Sequence, residues 1–225
     1  MQIQIYGDSL MRGVLVDEKY HYRPMAKTLL AQLQNDTGAQ AVSRAHFGYT
    51  AAKGQEVLQR DLAQGLNCQM ALLEFGGNDC DHDWHQVAAH PEVEHLPKVS
   101  LQNFLETLRS MVQSLLDHNI QPILMTLPPL DAQKYLDFIS HLGCDSGAIL
   151  RWLGDVQMIY RWQELYSNAI SRLADQLNLP LLDVRNRFLS RRDCTQLIAR
   201  DGIHLTEAGY RLVFDALRDQ ILAIC

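Results

Sequence analysis

The chain of 225 residues is long enough for one domain with a sizeable buried core. Its 47% hydrophobic and 20% charged residues are typical of a globular protein and exclude a disordered or fibrous one. The net charge is −6, and no stretch concentrates Lys or Arg strongly. Nucleic acids and anionic membranes are therefore not expected as main partners.

Neither a membrane span nor a secretory leader is expected. No apolar run approaches the roughly 20 residues that a membrane-crossing helix needs, and the first predicted strand begins at residue 2. The cysteines are odd in number and lack close pairs, which favours reduced thiols over a disulfide framework. They are Cys68, Cys80, Cys144, Cys194 and Cys225. We expect a cytoplasmic protein without stable membrane association, and the pattern leaves open whether it forms a homo-oligomer.

Apolar strands alternate with amphipathic helices along most of the chain. The strands are predicted at residues 2–6, 40–45, 69–75, 121–126 and 179–184. Helices are predicted from Pro24 to about Gly38, from a cap at Ser100, over about 157–177, and from Thr206 onward. This alternation predicts one α/β domain over residues 1–225, with a parallel sheet covered by helices on both faces.

Two segments interrupt the alternation, residues 80–99 and residues 127–155. The first contains two prolines and four histidines, and the second contains short helical fragments. Both follow strand ends, where open α/β sheets form their ligand crevice. We expect them to line a substrate pocket. The sequence leaves open whether residues 80–99 act as a lid or as a contact between subunits.

Three short motifs carry residues suited to acyl transfer. Ser9 follows the first strand in Gly7-Asp8-Ser9-Leu10, and the glycine permits a tight turn that presents the hydroxyl and amide of the serine. Asp201 lies three residues before His204, so its carboxylate can accept the Nδ1–H of the imidazole and orient it as a base. Asn78 follows Gly76 and Gly77 after the most apolar strand, and its amide can donate to an oxyanion.

Each motif alone is weak, because serine caps, polar pairs and Gly-Asn turns are common. All three nevertheless follow apolar segments that would end at the same edge of a parallel sheet. A nucleophile, a base and an oxyanion donor would thus converge across most of the chain length.

These motifs, in this order, resemble the blocks of the SGNH, or GDSL, hydrolase family. The resemblance implies a flavodoxin-like three-layer fold with a five-stranded parallel sheet. It also implies that Ser9, His204 and Asp201 form a catalytic triad, and that the oxyanion hole consists of the Ser9 amide, a glycine amide and the Asn78 side chain. Gly48 fits the glycine best and Gly54 is a competitor. The family's usual asparagine before that glycine is replaced by His46.

The implied function is hydrolysis of a carboxylic ester of a small acyl group, such as an acetylated sugar or metabolite, through an acyl-serine intermediate and without a cofactor. Thioesterase, lysophospholipase and acyltransferase activities of the same family stay open. An alternative of another class is a non-catalytic flavodoxin-like module that binds a phosphate or nucleotide, although no phosphate-binding glycine motif is present. Leu10, Met11, Tyr49 and Trp84 are candidate pocket residues, with burial in the core as the alternative for Leu10 and Met11.

Residues 80–85 are rich in metal-ligating side chains, including Cys80, His82, Asp83 and His85. A metal-dependent hydrolase built on them is a further alternative. Their spacing lacks the usual paired ligands, so we favour a solvated lid from which Trp84 reaches the substrate and predict no metal site. Asp79 is expected to act as a turn or helix-capping carboxylate.

Overall fold

A computed structural model describes residues 1–224, apart from the side chains of residues 26, 27 and 224. Its strands are β1 (Gln2–Gly7), β2 (Val14–Val16), β3 (Tyr22–Pro24), β4 (Gln40–Ser43), β5 (Met70–Glu74), β6 (Gln121–Met125) and β7 (Leu181–Leu182). Five of them form a parallel sheet in the order β4-β1-β5-β6-β7, while β2 and β3 form a separate antiparallel pair. The predicted five-stranded parallel sheet is confirmed, in the strand order typical of flavodoxin-like folds.

The helices that the structure describes are α1 (Ala26–Thr37), α2 (Ala51–Ala63), α3 (Trp84–Ala89), α4 (Leu101–Asp117), α5 (Ala132–His141), α6 (Ser146–Leu153), α7 (Met158–Gln176), α8 (Val184–Leu189), α9 (Cys194–Leu197) and α10 (Glu207–Ile224). Several differ from the prediction, and the short helices α3, α8 and α9 were not predicted. Pro24 is not in a helix, because it pairs with Val14 in the β2–β3 hairpin. The sequence analysis also missed α2, in which Gly54 weakens the helical pattern.

The two faces of the sheet bury alternate residues of each strand, as parallel strands covered on both sides require. Ile3, Ile5 and Leu72 face a core built with α1, α8 and α10. Tyr6 and Leu73 face a second core built with α2, α4 and α7. This arrangement confirms the three-layer α/β architecture.

A third apolar cluster lies apart from the two faces of the sheet. It joins α3, α5 and α6 to the start of α7, through residues such as Trp84, Phe138, Ile149 and Ile159. The segments 80–99 and 127–155 therefore pack largely against each other, and they stand where the chain leaves β5 and β6.

No helix within residues 1–224 is long and apolar enough to cross a bilayer. Four of the five cysteines are free thiols, namely Cys68, Cys80, Cys144 and Cys194, and Cys225 lies outside the described residues.

Candidate active site

The structure brings Ser9, His204 and Asp201 into one hydrogen-bonded chain. His204 Nε2 lies 2.8 Å from Ser9 Oγ, and His204 Nδ1 lies 2.6 Å from Asp201 Oδ2. Asp201 and His204 are buried, and Ser9 is 9% exposed. These are the distances at which an imidazole held by a carboxylate can take a proton from a serine hydroxyl.

The loop from Asp201 to His204 is fixed by its own backbone. Asp201 Oδ1 accepts hydrogen bonds from the N–H groups of Ile203 and His204 at 3.3 and 3.1 Å. Burial raises the pKa of Asp201, but the hydrogen bonds and charge of His204 outweigh burial and hold that pKa below its ordinary value. Asp201 is therefore ionised near neutral pH and can orient the imidazole.

Gly202 allows this loop to lie against the segment 127–155. Its φ is +79°, and a Cβ atom there would lie 2.4 Å from Tyr135 N and 2.5 Å from Asp131 O. The Gly202 carbonyl also accepts a hydrogen bond from Asp131 N at 2.8 Å. The glycine thus joins the triad loop to the start of α5 by close backbone packing.

Two aromatic residues beside His204 were missed by the sequence analysis. The rings of Tyr22 and Phe47 have their centroids 5.1 and 6.0 Å from that of the imidazole. Tyr22 comes from the β2–β3 hairpin, where burial and the negative charge of Asp201 raise the pKa of its hydroxyl. The sequence gave no indication that either residue belongs to the site. Only the folded chain brings the β2–β3 hairpin and Phe47 next to His204.

Gly7 is required for space at the turn that carries Ser9. A Cβ atom on Gly7 would lie 2.8 Å from Glu74 Oε2 and 3.0 Å from the Met11 side chain. Its φ is not in the left-handed region, so the expected role of Gly7 in permitting a tight turn needs this correction. The turn itself is closed by Asp8, whose Oδ1 accepts the Leu10 N–H at 2.8 Å.

Asn78 lies in the same pocket as Ser9, but its amide is engaged. Asn78 Nδ2 donates to Asp8 Oδ2 at 2.8 Å and to the Tyr49 carbonyl at 3.1 Å. The Ser9 N–H makes no hydrogen bond to residues 1–224. The Ser9 N–H is therefore free to donate to an oxyanion. The Asn78 amide could donate to it only in place of the Tyr49 carbonyl.

The two candidate glycines occupy different surroundings. Gly48 is exposed in a turn with φ +72° and is not among the residues that line the pocket. Gly54 lies inside α2, where a Cβ atom would be 2.1 Å from the Phe75 ring. Gly54 is thus explained by helix packing, and Gly48 remains the candidate for the oxyanion hole.

Three buried carboxyl groups surround the Ser9 turn. Burial raises the pKa of Asp8 to about 6, of Asp79 to about 7, and of Glu74 well above its ordinary value. Glu74 Oε2 accepts the Asp8 N–H at 3.1 Å, and Asp79 accepts the Ala51 N–H at 3.0 and 3.2 Å. Asp79 therefore caps α2 from a distant loop, which agrees with its expected capping role.

The pocket next to Ser9 encloses about 660 Å³, part of it open to solvent. Its walls come from the sheet edge, from both inserted segments, from α7 and from the triad loop. The lining residues are Asp8, Ser9, Leu10, Gly77, Asn78, Cys80, Asp81, His82, Trp84, Leu127, Leu130, Tyr135, Ile159, Trp162, Gln163, Ile203 and His204.

Leu10 and Trp84 line this pocket, as the sequence analysis expected, but Met11 and Tyr49 do not. Met11 is fully buried in the core, because the turn after Ser9 directs its side chain back toward the sheet. Tyr49 instead stacks on His46, with ring centroids 4.5 Å apart, and reaches the site only through its carbonyl.

The metal-ligating residue types at 80–85 point in different directions. Cys80 Sγ contacts the Gly77 carbonyl, Asp83 caps α3, and His85 Nδ1 lies 3.4 Å from Cys144 Sγ. His82 packs among tryptophan rings. In the described part of the chain, no group of three or more His, Cys, Asp or Glu is arranged to hold a metal ion.

Comparison with known proteins identifies the family to which this chain belongs. Residues 5–212 match the model of the GDSL-like lipase/acylhydrolase family, and the chain belongs to that family. It is similar to the GDSL esterase/lipase WDL1 of Oryza sativa, with 24% identity over 80% of this chain and 64% of that protein. It is also similar to the isoamyl acetate-hydrolyzing esterase of Saccharomyces cerevisiae, with 25% identity over 78% of this chain and 66% of the esterase.

The chain thus spans just under two thirds of the length of these two relatives. Among solved structures, a lipase/acylhydrolase from Enterococcus faecalis matches with a TM-score of 0.67 at 17% identity, over 99% of this chain and 95% of that one. At this identity the structural match supports the fold alone, and it agrees with the three-layer architecture.

Proposed function

We propose that the protein is a serine esterase that hydrolyses a carboxylic ester of a small acyl group through an acyl-serine intermediate. The observation that carries the proposal is the hydrogen-bonded chain from Asp201 through His204 to Ser9 Oγ, with distances of 2.6 and 2.8 Å. A phosphate-binding module would have no need of a buried carboxylate that orients an imidazole toward a serine.

In the proposed first step, His204 Nε2 takes the Ser9 proton as Oγ attacks the ester carbonyl. The carbonyl oxygen becomes an oxyanion, which accepts the free Ser9 N–H. Gly48 N–H and Asn78 Nδ2 are the further proposed donors. For Asn78 this requires that one hydrogen leaves the Tyr49 carbonyl, which is the longer of its two contacts.

Collapse of the tetrahedral intermediate breaks the ester C–O bond, and His204 gives its proton to the leaving alcohol. Water then attacks the acyl-serine while His204 takes a proton from it, and the acid leaves as Ser9 regains its hydrogen. Apart from the ester and one water molecule, these proposed steps use only groups of the chain.

The pocket supports a small, mostly apolar ester as the substrate. Leu10, Leu127, Leu130, Ile159 and Ile203 contribute apolar walls close to the triad. The yeast relative is named for hydrolysis of isoamyl acetate, an ester of a short acid with an apolar alcohol. We propose a substrate of this size class, and a cytoplasmic location in keeping with the predicted reduced thiols.

The test is hydrolysis of p-nitrophenyl acetate, butyrate and octanoate by the wild type and by Ser9→Ala and His204→Ala. Ser190→Ala is the matched control, because Ser190 is an exposed serine away from the pocket. We expect acetate to be the preferred substrate, and each triad variant to lose at least about 10⁴-fold in turnover while it stays folded. Wild-type turnover in Ser9→Ala would refute the proposal.

A further inference from the structure

His82 is a buried imidazole in the wall of the substrate pocket, and the proposed reaction does not use it. The residue is 4% exposed. The rings of Trp162, Trp152 and Trp84 surround it, with centroids 4.6, 5.3 and 5.5 Å from that of His82. Three large side chains thus fix the position of one polar ring, which suggests that the direction of its nitrogens matters.

The ring nitrogens of His82 are available for hydrogen bonding. Neither makes a hydrogen bond to residues 1–224. In this part of the chain, the fully enclosed side-chain polar atoms without a partner belong to Glu74 and Arg185, so the nitrogens of His82 are not enclosed. His82 lines the pocket and is only 4% exposed, so the pocket is the space in which a partner for these nitrogens could lie.

The carboxylate of Asp81, the residue before His82, is hydrogen-bonded to other side chains. Asp81 Oδ1 accepts hydrogen bonds from Trp84 Nε1 at 2.8 Å and from the Tyr135 hydroxyl at 3.0 Å, and Asp81 Oδ2 accepts from Lys98 Nζ at 2.8 Å. Burial lowers the pKa of His82 to about 4. The imidazole is therefore neutral near pH 7, with one nitrogen as a donor and the other as an acceptor.

We propose that His82 is a specificity-determining residue that hydrogen-bonds a hydroxyl group of the substrate, remote from the scissile carbonyl, so that the preferred substrate is an uncharged, hydroxyl-bearing ester. This inference rests on the proposed esterase function and narrows its substrate class. His82 takes no part in bond breaking, and its role is to distinguish esters that share the same reacting group.

A hydroxyl fits this position better than the other common polar groups. An alkyl group would leave the imidazole nitrogens without a partner inside a desolvated pocket. A carboxylate or an ammonium would have to give up its hydration in a pocket lined by Leu127, Leu130 and Ile159. The charged groups near His82, those of Asp81 and Lys98, already pair with each other at 2.8 Å. A hydroxyl can donate to one ring nitrogen or accept from the other, and it carries no charge.

The test compares esters that differ only by one hydroxyl group, with acid release followed in a pH-stat. In the first arm, hydroxyethyl, hydroxypropyl and hydroxybutyl acetates are compared with ethyl, propyl and butyl acetates. In the second arm, ethyl hydroxybutyrate is compared with ethyl butyrate. The arms distinguish a hydroxyl in the alcohol part of the substrate from one in the acyl part.

The variants are His82→Phe and His82→Gln, with His90→Phe as the matched control in the same inserted segment, since His90 is an exposed residue outside the pocket. We expect the wild type and His90→Phe to prefer the hydroxylated esters in at least one arm. In His82→Phe that preference in kcat/KM should fall by about 10- to 100-fold, mainly through KM. The neutral amide of His82→Gln should restore part of it.

Two results would overturn the inference: a wild type without hydroxyl preference in either arm, or an equal loss on both members of each ester pair in both His82 variants. p-Nitrophenyl acetate separates this failure from that of the proposed function. If the wild type does not hydrolyse it, the esterase proposal fails and this inference fails with it. If the wild type hydrolyses it but does not distinguish the hydroxylated esters, this inference alone is refuted.

Discussion

Replacement of Asp79 by asparagine tests the buried carboxyl groups beneath the Ser9 turn. Asp79 is fully buried, and its carboxylate accepts the Ala51 N–H at the start of α2. Burial raises its pKa from 3.8 to about 7, the Ala51 N–H lowers it in part, and the charge of Asp8 raises it further. Asparagine keeps an acceptor oxygen for Ala51 and removes the charge.

The direction in which the unfolding free energy changes with pH follows from proton binding by the Asp79 carboxyl. A carboxyl whose folded pKa exceeds its unfolded value stabilises the fold below the unfolded pKa, and that stability is lost as pH rises through the folded pKa. A rise from 3.8 to about 7 corresponds to about 4 kcal/mol in full, at about 1.4 kcal/mol per pH unit. Between about pH 5 and about pH 7, Asp79→Asn should therefore gain about 3 kcal/mol of unfolding free energy relative to the wild type.

The assay is urea unfolding followed by tryptophan fluorescence across this pH range. Asp219→Asn is the control, because Asp219 is exposed and its pKa is held below the ordinary value by hydrogen bonds from Arg187 and Arg218. The gain should level off above about pH 7 and be absent in the control. A difference between Asp79→Asn and wild type that does not change with pH would refute the reasoning.

Three further variants test the site. Asp201→Asn should lower turnover of p-nitrophenyl acetate by about 10⁴-fold with little change in the far-UV circular dichroism, since the imidazole loses its orienting charge; near-normal turnover would contradict this. Asn78→Ala should cost about 10²- to 10³-fold in kcat, and full activity would remove Asn78 from the oxyanion hole. Gly202→Ala should lower the unfolding free energy by about 3 kcal/mol or more in urea, because its Cβ would overlap Tyr135 N and Asp131 O; an unchanged midpoint would contradict this packing.

The parts of the fold that the sequence predicted best are those with strong local patterns. The apolar run before Gly76 became the central strand β5, and the Ser100 hydroxyl accepts the Asn103 N–H at the start of α4. Strand β7 is shorter than the predicted 179–184, since it pairs with β6 only at Leu181 and Leu182. Pro24 was assigned to a helix by a local rule, and its pairing with Val14 in the β2–β3 hairpin overrode that rule.

The convergence of Ser9 and Asn78 was predictable because β1 and β5 are parallel neighbours and end at a common edge of the sheet. His204 was expected to follow a strand at the same edge, but its loop follows α9, so tertiary packing places it beside Ser9. Contacts set by tertiary structure were not predictable. Nothing in the sequence indicates that Asp8 takes the Asn78 amide, or that Glu74 and Met11 require a glycine at position 7.

The surroundings of His82 are another feature that could not be predicted from the sequence. The histidines and cysteines of residues 80–85 were noticeable as metal-ligand types, and their spacing led us to predict no metal site. Two of the three tryptophans around His82, Trp152 and Trp162, lie far along the chain, so only the packing of α6 and α7 places His82 in the pocket wall.

The most direct test of the central claim is to locate the covalent adduct formed with a fluorophosphonate. The folded wild type is treated with the reagent, digested, and mapped by mass spectrometry, with Ser9→Ala and Ser190→Ala treated in parallel. We predict one phosphonyl group on Ser9 in the wild type and in Ser190→Ala, with esterase activity lost in step with labelling, and no adduct in Ser9→Ala. Labelling of a different residue, or full esterase activity in protein labelled at Ser9, would contradict the assignment of Ser9 as the nucleophile.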